Sequence, residues 1–81
     1  MSDIFTEEIP IDIKSTDLIR YRRKYMIMSV YKPKDNKREF IKTPTGEKLV
    51  VMKNESLVIE ESGEITVVED RFIARDWEVD V

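Results

Sequence analysis

The sequence predicts an α+β domain: a small, bent antiparallel β-sheet of five to six strands with one or two short helices. Three observations predict it. Short runs rich in β-branched and aromatic residues recur, as in Tyr25-Met26-Ile27-Met28-Ser29-Val30-Tyr31, Leu49-Val50-Val51-Met52 and Ile65-Thr66-Val67-Val68, and such residues suit a pleated, half-buried surface. The two glycines, Gly46 and Gly63, each fall between two of these runs, where a hairpin turn favours a residue that tolerates positive φ. The 81 residues contain no internal repeat, linker or low-complexity tract, so a single domain over 1–81 is expected.

The elements follow in order. Ile9, Ile11 and Ile13 alternate with Pro10, Asp12 and Lys14, a strand period in which proline suits an edge. Ser15 or Thr16 can cap a short helix over Asp17-Leu18-Ile19-Arg20-Tyr21-Arg22. A strand over 25–31 ends at Lys32-Pro33-Lys34-Asp35-Asn36. Strands over 38–42 and 47–52 flank Thr43-Pro44-Thr45-Gly46, and strands over 57–60 and 65–68 flank Glu61-Ser62-Gly63-Glu64. A second helix is expected from Glu69 to Arg75, with Phe72 and Ile73 toward the sheet and Asp70, Arg71 and Arg75 toward water. A closing strand over 77–81 puts Trp77 and Val79 on one face and Glu78 and Asp80 on the other. Phe40, Phe72 and Trp77 are expected to serve the core, with the Trp77 indole packing under the last helix or, alternatively, lining a pocket.

Composition narrows the function classes. A chain this short buries only about 60–65 % of its unfolded surface. With neither Cys nor His, it has no disulfide and no zinc site to compensate, which leaves oligomerisation as the expected support. No apolar run is long enough for a membrane span, and the N-terminus is acidic where a secretion signal is basic. A cytoplasmic protein is expected, with no membrane partner.

Charge is segregated along the chain. Residues 1–18 set Asp3, Glu7, Glu8, Asp12 and Asp17 against Lys14, a charge of −4. Residues 19–48 set ten Lys or Arg against Asp35, Glu39 and Glu47, a charge of +7. Residues 49–81 carry −6, for a total of −3. The basic middle can meet an anionic ligand. Alternatively the acidic segments pack beside it and the folded surface is mixed. The acidic total counts against a partner of long nucleic acid.

Catalysis is not expected. There is no His for acid–base work and no Cys nucleophile, and no phosphate loop or nucleophile-elbow motif. Adjacent carboxylates such as Glu7-Glu8 and Glu60-Glu61 point to opposite faces of a strand. No cofactor or metal is implied. The main chemical candidate is Arg20-Tyr21-Arg22-Arg23-Lys24-Tyr25. Arginine forks grip phosphate through paired hydrogen bonds, and a tyrosine face stacks a nucleobase for about 1–3 kcal/mol. The plainer alternative is the basic end of a short helix, with Tyr25 beginning a buried strand. Lys32, Lys34, Lys37, Arg38 and Lys42 form a second basic group, either a solubilising loop or a lid over an anion.

Phe72-Ile73-Ala74-Arg75-Asp76-Trp77-Glu78-Val79 resembles the ending of the phage anti-Thoeris sponge family, of the form Leu-Leu-Ala-Glu-Asp-Trp-Glu-Val. Arg75 replaces the family's Glu, and Asp70-Arg71 departs from its preceding Thr-Asp. Aligning the family's strand Met with Met26 puts Tyr21 at its Trp and Arg22-Arg23 at its Asn-Gly, while Pro10 breaks its N-terminal helix. The resemblance implies a phage-encoded oligomer in the infected host cell that sequesters a cyclic nucleotide immune signal without cleaving it. Related sponges counter CBASS through cyclic dinucleotides, and an Arg-rich replacement for Asn-Gly suits a ligand with more phosphate charge. The ligand-binding residues expected on this reading are Tyr21, Arg22, Arg23, Lys24, Asp70, Arg71 and Arg75. From other classes, the alternatives are a small phage protein that inhibits a host protein by direct binding, and an accessory virion protein.

Overall fold

The computed structural model describes residues 8–80. Among these residues the domain is α+β, with eight strands in two sheets and one α-helix. The strands are β1 (Ile11–Asp12), β2 (Ile19–Arg23), β3 (Met26–Tyr31), β4 (Glu39–Lys42), β5 (Lys48–Val51), β6 (Glu55–Glu60), β7 (Ile65–Glu69) and β8 (Glu78–Val79). The helix α1 spans Asp70–Asp76 between β7 and β8, and single 3-10 turns occupy Ser15–Asp17 and Lys34–Asn36. The larger sheet runs β7-β6-β3-β2-β8 and is antiparallel throughout. The smaller runs β1-β4-β5, with β1 parallel to β4.

Strand alternation assigns each face of the larger sheet a different partner. Val30 pairs with Val58 and Met28 with Glu60. Met28, Val30 and Val58 form a buried cluster with Ile73 of α1, and Tyr21, Val68 and Trp77 pack against it. The intervening residues Tyr31 and Leu57 face the other way. They join Ile13, Ile41 and Val51 of the smaller sheet in a second cluster, flanked by Leu18, Leu49, Ile59 and Ile65. The result is three layers with β6 in the middle: Ser56, Leu57 and Val58 are buried on successive faces. The Ser56 hydroxyl donates to the Asp70 carboxylate at 2.5 Å, and the Asp70 N–H donates to the Asn54 carbonyl at 2.8 Å, tying the start of α1 to β6. Asn36 and Asn54, both at positive φ, clasp each other through two hydrogen bonds of 2.7 and 2.8 Å.

Several sequence expectations are met. Strands cover 26–31, 39–42, 48–51, 55–60 and 65–69, and both glycines adopt positive φ. Three are corrected. The helix expected over Asp17–Arg22 is absent: Ser15–Asp17 makes one 3-10 turn, held by the Asp17 carboxylate accepting from the Lys14 N–H at 2.8 Å. Leu18 is already extended, and Ile19–Arg23 pair with β3 along their whole length. Five ladder positions and the burial of Tyr21 outweigh a single cap. Tyr25 does not begin a buried strand. It is fully exposed in the two-residue turn between β2 and β3. The one sheet of five to six strands expected is eight strands in two sheets, because Pro33 and the following 3-10 turn carry β4 away from β3 and leave β6 to pair there. The closing strand covers Glu78–Val79; Val81, at the end of the expected span, lies outside the described residues, as do Asp3 and Glu7.

Phe40, Phe72 and Trp77 are each half-buried and not fully enclosed. Tyr31 and Met28 apart, the closed core is therefore aliphatic, and its fully buried side chains carry the stability. Leu57, with no exposed surface, is the test. Leu57→Ala should cost about 2–5 kcal/mol, a large share of the total for a domain of this size, as measured by urea unfolding.

Candidate functional site

The β2–β3 hairpin, the end of α1 and the start of β8 meet around one open depression of about 530 Å³, lined by Arg22, Lys24, Ala74, Arg75, Asp76, Trp77 and Glu78. Its volume lies within the range of small-molecule sites. Three of the sequence-expected residues, Arg22, Lys24 and Arg75, are brought together here. Arg23 leaves β2 on the opposite face from Arg22, yet lies close enough to Asp76 that its charge acts on that carboxyl.

The other expected residues lie elsewhere. Tyr21 packs its ring against the Met28–Val30–Val58–Ile73 cluster, with the Lys32 ammonium 5.7 Å from the ring centroid. Asp70 and Arg71, at the opposite end of α1, line a second open depression with Asn54 and Glu69. Arg71 and Arg75 flank the Phe72 ring at 4.8 and 5.1 Å from its centroid, one helical turn apart.

Two of the three cations of the first depression, Arg22 and Arg75, are paired to acids within it. Arg75 donates two hydrogen bonds of 3.1 Å to the Asp76 carboxylate. The hydrogen bonds from Arg75, its charge and that of Arg23 hold the Asp76 carboxyl below the usual carboxylate range. Arg22 approaches Glu78 at 3.7 Å and Arg20 approaches Asp80 at 3.2 Å, a cross-strand pair of ion pairs between β2 and β8. Such exposed pairs each contribute only about 0–1 kcal/mol, so an incoming polyanion can replace the carboxylates at little cost. Lys24 makes no ion pair among the described residues.

Lys24 has φ of +57° at the first turn position of a two-residue hairpin, where glycine is favoured. A non-glycine residue held there stores roughly 1–3 kcal/mol of strain. Lys24→Gly should therefore raise the unfolding free energy by about 0.5–1 kcal/mol, the relief of strain less the greater chain entropy of glycine. Thermal unfolding followed by circular dichroism checks this.

A second cluster of ionisable groups went unforeseen in the sequence. Ile11, Asp12, Ile13, Asp17, Tyr31, Lys34 and Glu39 line a hollow of about 290 Å³ between the sheets. The Tyr31 hydroxyl donates to the Glu39 carboxylate at 2.5 Å. Burial, that hydrogen bond and the charges of Glu39 and Asp17 push the phenol well above its ordinary value. The only available signal was Tyr31 at a strand end beside acidic segments, and the parallel β1–β4 pairing that brings Asp12 near is not legible from spacing. Among the described residues no group of three or more carboxylates converges to hold a metal ion.

Because the folded phenol titrates above the unfolded one, its contribution to stability is complete below about pH 10 and is lost as pH rises further. Tyr31→Phe should cost about 1 kcal/mol near neutrality for the lost hydrogen bond. The gap to the native protein should narrow above about pH 10, as read by denaturant midpoints across an alkaline pH series.

Comparisons of this chain with protein-family models, with curated protein sequences and with solved structures find no match.

Proposed function

We infer that this protein captures an anionic, nucleotide-like small molecule in the depression between the β2–β3 hairpin and the end of α1, and releases it chemically unchanged. The observation that carries this reading is the convergence of Arg22, Lys24 and Arg75 with Trp77 around one open space. The sequence resemblance supports a cyclic nucleotide immune signal, and so a phage-encoded sponge acting in the infected cell. Arg22 and Lys24 supply phosphate contacts from the hairpin and Arg75 supplies a third from the helix. Arg23 adds to the positive potential at Asp76. The Trp77 indole offers an apolar edge for a base, a role the sequence had suggested for Tyr21. The reaction class is binding alone, and the proposed assembly is a homo-oligomer, whose mass light scattering would report.

A second reading, inhibition of a host protein by direct binding, is favoured by the exposed tip of the β2–β3 hairpin. There Tyr25 is fully exposed and Met26 is half-exposed, more apolar surface than a small-molecule binder needs at a turn.

Titration calorimetry with a panel of cyclic dinucleotides and cyclic ADP-ribose isomers separates the two. The sponge reading expects one member to bind with Kd of about 1 μM or tighter, near 8 kcal/mol, and to be recovered intact. Arg22→Ala and Lys24→Ala should each weaken it by about 1.5–3 kcal/mol, the loss of one charge-assisted contact. A panel with no binder, or a ligand returned altered, overturns it.

A further inference from the structure

We propose that the outer edge of β7 is a docking site for an extended, basic segment of another protein, which adds to the larger sheet as a sixth strand. Two observations on this edge meet: which backbone groups it presents, and the charge around them.

The ladder between β6 and β7 shows which backbone groups are free. The Glu60 N–H donates to the Glu64 carbonyl at 2.9 Å, and the Asp70 N–H to the Asn54 carbonyl at 2.8 Å. These bonds bracket the register in which Val58 faces Thr66 and Ser56 faces Val68. Bonded and non-bonded pairs alternate in an antiparallel ladder, so Thr66 and Val68 bond inward to β6. Ile65, Val67 and Glu69 turn their N–H groups outward, and Ile65 and Val67 their carbonyls as well.

This edge lacks the usual defences. Proteins blunt exposed edges with short strands, lysine, proline or a bulge. Among the described residues the other edge strands are shorter: β1 and β8 have two residues each, and the four-residue β5 opens with Lys48. β7 has five residues, Ile-Thr-Val-Val-Glu, with no proline or lysine and an unbroken register. A strand of four consecutive β-branched residues in this state suits strand addition, in which main-chain bonds supply affinity and alternate side chains supply specificity.

The flanking charge selects the occupant. Glu60, Glu61, Glu64, Glu69 and Asp70 surround the edge. A second copy pairing about Val67 would set Glu64 directly opposite the partner's Asp70 on both sides of the two-fold axis. Like charges so placed are destabilising. A strand with Lys or Arg at the positions facing Glu64, Glu69 and Asp70 turns the same geometry into cross-strand ion pairs. The occupant that this charge selects is therefore a basic extended segment.

The test uses the intact protein and a capped synthetic peptide, Lys-Arg-Ile-Val-Thr-Val-Lys, written to lie antiparallel to β7 with its basic residues opposite those acids. Backbone amide exchange is followed by NMR. With the peptide at ten times its Kd, the Ile65 and Val67 amides should exchange about tenfold more slowly, while amides of β1 and β5 do not change. The same peptide N-methylated at both valines should give no protection, since it cannot bond to the edge. The proposal is overturned if the basic peptide gives no protection, or if a version with Glu at the three basic positions protects equally. It is also overturned if the protein alone protects these amides as its concentration rises, which would make a second copy the occupant.

Discussion

Burial of β6 on both faces is the constraint from which the rest of the fold follows. Ser56, Leu57 and Val58 have essentially no solvent contact, so both sides of this strand must be covered, one by α1 and the other by the smaller sheet. A polar side chain is tolerated there only with a partner, and Ser56 finds one in Asp70. That bond sets where the chain turns from β7 into α1. The helix in turn sets where Trp77 and β8 arrive beside β2. The depression that holds Arg22, Lys24 and Arg75 is thus a consequence of how the middle layer is sealed.

The segregated charge of the sequence does not survive folding as segregated patches. Arg20 meets Asp80, Arg22 approaches Glu78 and Arg38 grips Glu8 through two hydrogen bonds. The basic middle of the chain is therefore stitched to both acidic ends. The hairpin tip escapes this neutralisation, since Lys24 stands beyond the last β2–β8 pair. At the ends of β7 lies the complementary case, a cluster of carboxylates of which, among the described residues, Glu69 alone makes an ion pair, with its near neighbour Arg71.

The hairpins were legible in the sequence because turn chemistry is local: Gly46 and Gly63 adopt the positive φ that their contexts required. Helix α1 was legible because Ile73 faces inward while Arg71 and Arg75 do not. β2 was not, because Ser15-Thr16-Asp17 carries a genuine start signal that ends after one turn. What overrides it is β3, a partner that local propensity does not report. The parallel β1–β4 pair and the hollow around Tyr31 were hidden for a similar reason, since they join segments some thirty residues apart. The candidate site was legible in its residue types and only partly in its membership. The ligand-binding reading placed Tyr21, Arg22 and Arg23 together at one site, whereas the strand divides them between two faces.

The pairing of β8 with β2 also bears on the order of events during synthesis. β2 emerges early, forms its hairpin with β3 and then waits, because Glu78, Val79 and Asp80 follow it in the chain by more than fifty residues. Until they arrive its outer edge stays open, and Arg20 and Arg22 lack the carboxylates they later meet. Contacts so distant in sequence are slow to form. The chain can therefore assemble its middle hairpins first, but the sheet closes, and the depression around Arg22 takes shape, only once β8 has been made.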